Sequence, residues 1–76
     1  MKELVEYIAK SLVENTEAVE VTVQEKEHGT VYELKVARED LGKIIGKQGR
    51  MARVIRTVLA AAGSRAKVRA LLEIVE

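Results

Sequence analysis

The chain has 76 residues, 47% of them apolar and 33% charged, with a net charge of +1. A chain this short buries only about 60% of its unfolded surface, which excludes two compact units with a cleft between them and makes one domain over residues 1–76 the expectation. The absence of cysteine and the single histidine, His28, exclude a disulfide framework and a thiolate or two-histidine metal site within one chain, so no metal or other cofactor is expected.

Leu4, Val5, Ile8, Ala9, Leu12 and Val13 recur at helical spacing and predict an amphipathic helix over residues 2–14. Val19, Val21 and Val23 alternate with Glu20, Thr22 and Gln24, the pattern of a strand with one buried face. Glu27-His28-Gly29-Thr30 reads as a turn, with Gly29 free to take a positive φ. Tyr32, Leu34 and Val36 then alternate with Val31, Glu33 and Lys35, so the two strands form a hairpin. Leu41, Ile44 and Ile45 make a short helix preceded by Glu39 and Asp40, acids suited to a first turn. Gly46-Lys47-Gln48-Gly49 interrupts it. Met51, Val54, Ile55, Val58, Leu59 and Ala62 predict a further helix, with Gly63 as its stop. Val68, Ala70, Leu72 and Ile74 complete a third strand. The expected class is α+β, in the order α-β-β-α-α-β, with three helices packed on one face of a three-stranded sheet.

The N-terminus carries Glu3 and Glu6 at once and lacks the apolar stretch of a signal peptide. The longest apolar run, Val58 to Ala62, is far short of the roughly 20 residues that span a bilayer. A cytoplasmic protein without membrane insertion is expected.

Charge is unevenly distributed. Residues 1–40 hold five Lys/Arg against ten Asp/Glu, whereas residues 41–76 hold eight against two, with no acid from Leu41 to Leu72. Such a block is either a positive face for a polyanion or a solvated basic helix. The Gly-x-x-Gly segment lies inside it. Glycines allow a phosphodiester backbone to approach closely, and the helix that follows offers unpaired N–H groups and a partial positive charge. Gly46, Lys47, Gln48, Gly49, Arg50 and Arg53 are the candidate backbone contacts, with Lys43 beside them, Ile45 as the groove floor, and Arg56 and Val36 as further candidates. Arg65, Lys67 and Arg69 widen the positive field. Tyr7 and Tyr32 are the only aromatics, which argues against folds that stack bases on aromatic platforms. No nucleophile–base pair or Walker-type phosphate loop occurs, so an enzyme is not expected.

The stretch Ile44-Ile45-Gly46-Lys47-Gln48-Gly49-Arg50-Met51-Ala52-Arg53-Val54-Ile55 resembles the KH-domain signature, two isoleucines, Gly-x-x-Gly and a later isoleucine. The element order resembles the type II KH arrangement, over nearly the whole chain. The wider run from Leu41 to Arg50, followed by Ile55 to Gly63, is similar to the small bacterial KhpA family. The resemblance implies a cytoplasmic protein that clamps about four nucleotides of single-stranded RNA, forms homodimers, and associates with a larger Jag-type partner carrying its own KH domain. It further implies RNA chaperoning, post-transcriptional regulation and a link to cell elongation, cell shape and cell-wall biogenesis. Ala70 and Leu71 stand where the family more often has a polar residue, and an exposed Leu71 would mark a contact surface.

The apolar positions of the 51–62 helix exceed one stripe. Val58, Leu59 and Ala62 therefore have two destinations: a dimer interface, or cover from the first helix. This leaves two functional readings, an RNA-binding module and a protein-interaction module in which RNA binding is secondary or lost.

Overall fold

The computed structural model describes residues 1–75, and Glu76, the last position of the expected span, lies outside them. The apolar period from Leu4 to Leu12 winds α1, Lys2–Leu12. It ends two residues before the expected limit because Val13 is extended (φ −97°, ψ 160°), which turns the chain while its side chain stays in the core. A 3₁₀ turn, Thr16–Ala18, leads to β1, Glu20–Lys26. A two-residue turn, Glu27 and His28, joins it to β2, Gly29–Lys35. A 3₁₀ turn at Arg38–Asp40, α2 at Leu41–Ile45, a 3₁₀ turn at Lys47–Gly49, α3 at Arg50–Arg65 and β3 at Ala70–Val75 complete the chain.

β2 is central, antiparallel to β1 and parallel to β3, with Val21 opposite Leu34 and Tyr32 opposite Leu72. A parallel pair needs a long crossover, and α2 with α3 supplies it. The helices pack on one sheet face, and Val5, Leu34, Ile44, Ile55 and Leu59 are its largest fully buried apolar side chains. Each contributes about 1.5–3 kcal/mol by leaving water. The architecture is the expected α+β one.

Four local expectations are corrected. Val23 was expected inside, but it is exposed; the helices cover β1 near Val19 and Val21, not at its hairpin end. Val31, on the opposite face of β2, is buried although no helix covers that face. Its register neighbours are Gln24 and Leu71, and Gln24 Nε2 donates to Glu33 Oε1 at 2.9 Å, so side chains across the strands shelter it. Half-buried Leu71 therefore belongs partly to the molecule's own sheet.

Gly63 does not stop α3. The helix passes through it to Arg65, and Gly63 is buried where an added Cβ would lie 2.6 Å from the Val68 carbonyl oxygen and 3.1 Å from Ala70 Cβ. It is a packing glycine that lets β3 return close to α3. The actual stop lies further on. The N–H of Lys67 donates to the Ser64 carbonyl at 3.1 Å and that of Val68 to the Gly63 carbonyl at 2.8 Å, with Lys67 left-handed at φ 61°. This is the Schellman arrangement, which usually places glycine at the left-handed position.

Candidate nucleic-acid interface

α2 has only five residues, and its position is set by Asp40, whose side chain is 2% exposed. Sequence spacing makes Asp40 a first-turn acid. Its carboxylate instead accepts the N–H of Asn15 at 3.0 Å and of Glu14 at 3.3 Å, just beyond the end of α1. These backbone hydrogen bonds, the one from Asn15 foremost, hold its pKa below the ordinary 3.8. Lys43 closes the cluster, its Nζ 3.0 Å from Glu14 Oε1 and 3.5 Å from Asp40 Oδ1. The Glu14 hydrogen bond leads in raising the Lys43 pKa above 10.5. The ammonium expected beside the glycine loop is thus neutralised against the α1 end. Asp40 was not among the candidate residues because its partners lie 25 and 26 residues away, which local spacing does not reveal.

The loop is shaped by two left-handed glycines with different requirements. Gly46 ends α2 with its N–H donating to the Gly42 carbonyl at 2.8 Å, and it adopts φ 77°, ψ 172°, a region open essentially to glycine alone. A Cβ there would lie 2.6 Å from Met51 Cβ and 2.7 Å from Met51 N, so the loop rests directly on the first turn of α3. Gly49, at φ 75°, faces open space. Between them Lys47 and Gln48 are exposed, with Gln48 itself left-handed at φ 57°. The Gly49 N–H donates to the Gly46 carbonyl at 3.1 Å, and Arg50 Nη2 to Gln48 Oε1 at 3.4 Å. Gly49 caps α3 without a side-chain hydrogen bond. The first amides of α3 therefore lack a side-chain acceptor at an exposed turn, the arrangement in which helix ends and turn amides receive anions.

Charge and shape agree around this loop. Among the described residues no carboxylate pairs with Lys47, Arg50, Arg53 or Arg56. A groove opens beside the loop between α2, α3 and β3, lined by Leu41, Ile45, Gly49, Ala52, Arg56, Leu72, Glu73 and Ile74. Ile45 is 40% exposed there, whereas its neighbour Ile44 is 0% exposed and belongs to the core. Ile45 and Arg56 thus stand together in the groove, while Val36 is buried in the core. Leu41, Ala52 and Ile74 were missed as groove residues; each reads as an ordinary apolar position, and only packing brings them together. Arg65, Lys67 and Arg69 are exposed at the far end of α3. His28 is exposed in the hairpin turn. Neither tyrosine lines this groove: Tyr32 is in the core and Tyr7 lies on the other side of α3.

On that other side, α1 and α3 leave a shallow apolar channel lined by Tyr7, Ile8, Ser11, Leu12, Met51, Val54, Ile55 and Val58. Val58 is 39% exposed, but Leu59 is 1% exposed and lies in the core, and Ala62 is half-buried. The three candidate interface residues are therefore divided between surface and core. No helix among the described residues is long and apolar enough to cross a membrane, and no group of His, Cys, Asp or Glu among them could hold a metal ion.

The family model described as KhpA/KhpB, KH domain, matches residues 2–74. A protein named RNA-binding protein KhpA from Caldanaerobacter subterraneus subsp. tengcongensis is 52% identical over 75 residues, covering 99% of this chain and all of the relative. The Clostridium perfringens protein of the same name is also 52% identical with the same coverage. The Aquifex aeolicus one is 50% identical over 76 residues, covering all of this chain and 96% of the relative. No solved structure matches the chain.

Proposed function

The chain belongs to the KhpA/KhpB KH-domain family, which is non-enzymatic, and from that premise we propose that it binds single-stranded RNA by its sugar-phosphate backbone. The observation that carries this reading is the exposed glycine loop, with α3 amides lacking a side-chain cap and flanked by cations without carboxylate partners. Phosphates sit on the loop and beside Lys47, Arg50 and Arg53, with Arg56 next along α3. Bases lie over Ile45 on the aliphatic groove. Gln48 holds Arg50 in place, and Lys43, already neutralised, acts by fixing α2. Neutralising about three phosphates gives a log–log salt slope near −2 for a single strand. Replacing Lys47 and Gln48 together by Asp is expected to lower RNA affinity at least about 100-fold through charge reversal at the clamp, with an unchanged circular-dichroism spectrum. Unaltered affinity in that variant overturns the assignment.

A second reading concerns assembly. The exposed apolar channel of Tyr7, Val54 and Val58 favours pairing with another copy about a two-fold axis. Light scattering of wild type and Val58→Asp tests it: a dimer that becomes a monomer supports this face, and equal masses exclude it. Family resemblance supports the wider role, RNA chaperoning and post-transcriptional regulation with a larger Jag-type KH protein and a link to cell elongation. Co-purification from cells with and without crosslinked RNA tests that association.

A further inference from the structure

The glycine loop accounts for one end of α3 and leaves the other unexplained. From Gly49 to Ser64 the helix advances about 22 Å. The groove beside it reaches Arg56. A second depression follows the same α3–β3 seam, lined by Ala60 and Ser64 on α3 and by Lys67 to Leu71 where the chain enters β3. Small side chains at Ala60 and Ser64 leave that depression open on the α3 side. Its far end is cationic. The hairpin tip packs beside it, with Thr30 N–H donating to the Arg69 carbonyl at 2.8 Å, yet among the described residues no carboxylate pairs with Arg65, Lys67 or Arg69.

Lys67 adds an independent sign. It occupies the left-handed position of the α3 stop at φ 61°, where glycine is the unstrained choice. Arg65 already stands in the last turn, where a cation complements the helix C-terminus. A charged side chain held in a costly conformation at the helix stop, on an open depression, points to a use beyond ending the helix.

We propose that the single-stranded RNA track begun at the glycine loop continues along the α3–β3 seam to a second phosphate-binding point at Lys67 and Arg69. The chain then holds a longer strand than the four nucleotides the loop explains. This rests on the RNA-binding reading and extends it.

The test compares a four-nucleotide RNA with one about ten nucleotides long on three proteins: wild type, the double variant Lys67→Gly/Arg69→Gln, and the variant with Lys47 and Gln48 replaced by Asp. Glycine suits the left-handed position, so the first double variant keeps the fold. Length alone multiplies binding registers, so the readout is the difference between variant and wild type at each length. The expected result is that Lys67→Gly/Arg69→Gln weakens the longer RNA about tenfold at low salt, flattens its salt slope by about 1.4, and leaves the four-nucleotide RNA unchanged. Equal losses at both lengths, or no loss at either, overturn the extended track while the clamp stands. If the Asp variant still binds the four-nucleotide RNA like wild type, or wild type binds neither RNA, the RNA-binding reading itself fails and the extension falls with it. Ser64→Glu, which sets an anion on the track, is expected to reproduce the length-selective loss, and its indifference to length counts against the proposal.

Discussion

The two flanks of α3 differ although they are built from adjacent residues. Toward β3 the helix presents Arg56, Ala60 and Ser64, with Arg53 on the same side, along an open seam. Toward α1 it presents Met51, Val54 and Val58 to an apolar channel. Arg53 and Val54 are neighbours in the chain, yet the turn of about 100° per residue sends them to different surroundings. One helix thus joins a polar, cation-bearing surface to an apolar one while its third stripe, Ala52, Ile55, Leu59 and Gly63, is buried. A basic block in the sequence need not be a basic object in space.

The sharpest way to break this division is at the boundary between core and apolar flank. Leu59→Ala is expected to cost about 2–5 kcal/mol, enough to unfold much of a domain whose stability is of that order. Val58→Ala should stay within about 0.5 kcal/mol when the chain is monomeric. Urea denaturation measures both, and equal losses would mean that the α1 flank is core. Next comes the boundary between the flanks. Arg53→Glu should weaken a four-nucleotide RNA by about tenfold and flatten the salt slope by at least about 0.7, whereas Val54→Gln should leave both unchanged. Matching losses in a fluorescence-anisotropy titration would erase the distinction.

A smaller effect concerns the clamp that fixes α2 against the end of α1. The Asp40 carboxylate is more acidic folded than unfolded, so its contribution is present above its ordinary pKa of 3.8 and lost as pH falls through the depressed folded value. Lys43 behaves oppositely: its contribution is present below 10.5 and lost as pH rises through the raised folded value. Asp40→Ala is expected to lower Tm at neutral pH by several degrees and to flatten the acid limb of the stability profile. RNA affinity of the variant, measured well below its Tm, should fall by less than that of Arg53→Glu, because the clamp places α2 and with it Leu41 and Ile45 in the groove but carries no phosphate contact. The smallest effect is a gain. Lys67→Gly should raise stability by about 1 kcal/mol by relieving the left-handed residue, seen as a small rise in Tm.

Much of this was legible in the chain. Apolar periods located all six elements, and the interrupted pattern at Gly46 to Gly49 located the loop. What escaped was decided by residues distant in sequence. Gly63 resembled a helix stop because glycine commonly is one, but its role depends on Val68 and Ala70 folding back against it. Lys67 gave no local sign that it would take the left-handed position. Val31 and Val23 exchanged environments because alternation tells the two faces of a strand apart, not where along it the helices reach. Leu59 and Val58 each fit an apolar pattern, and only the placement of α1 assigned one to the interior. The β3 wall of the groove, with Leu72 and Ile74, is created by parallel pairing to β2.

The positions of the two tyrosines have a consequence for how long RNA stays bound. With one ring sealed under the sheet and the other across α3, a strand in the seam gains no ring-on-base stacking, a contact worth about 1–3 kcal/mol per base. On the proposed binding mode, retention would fall to phosphate contacts and aliphatic surface, which favour short residence times and tolerance of base identity. Such a molecule would sample many transcripts quickly and linger only where a second grip multiplies the first.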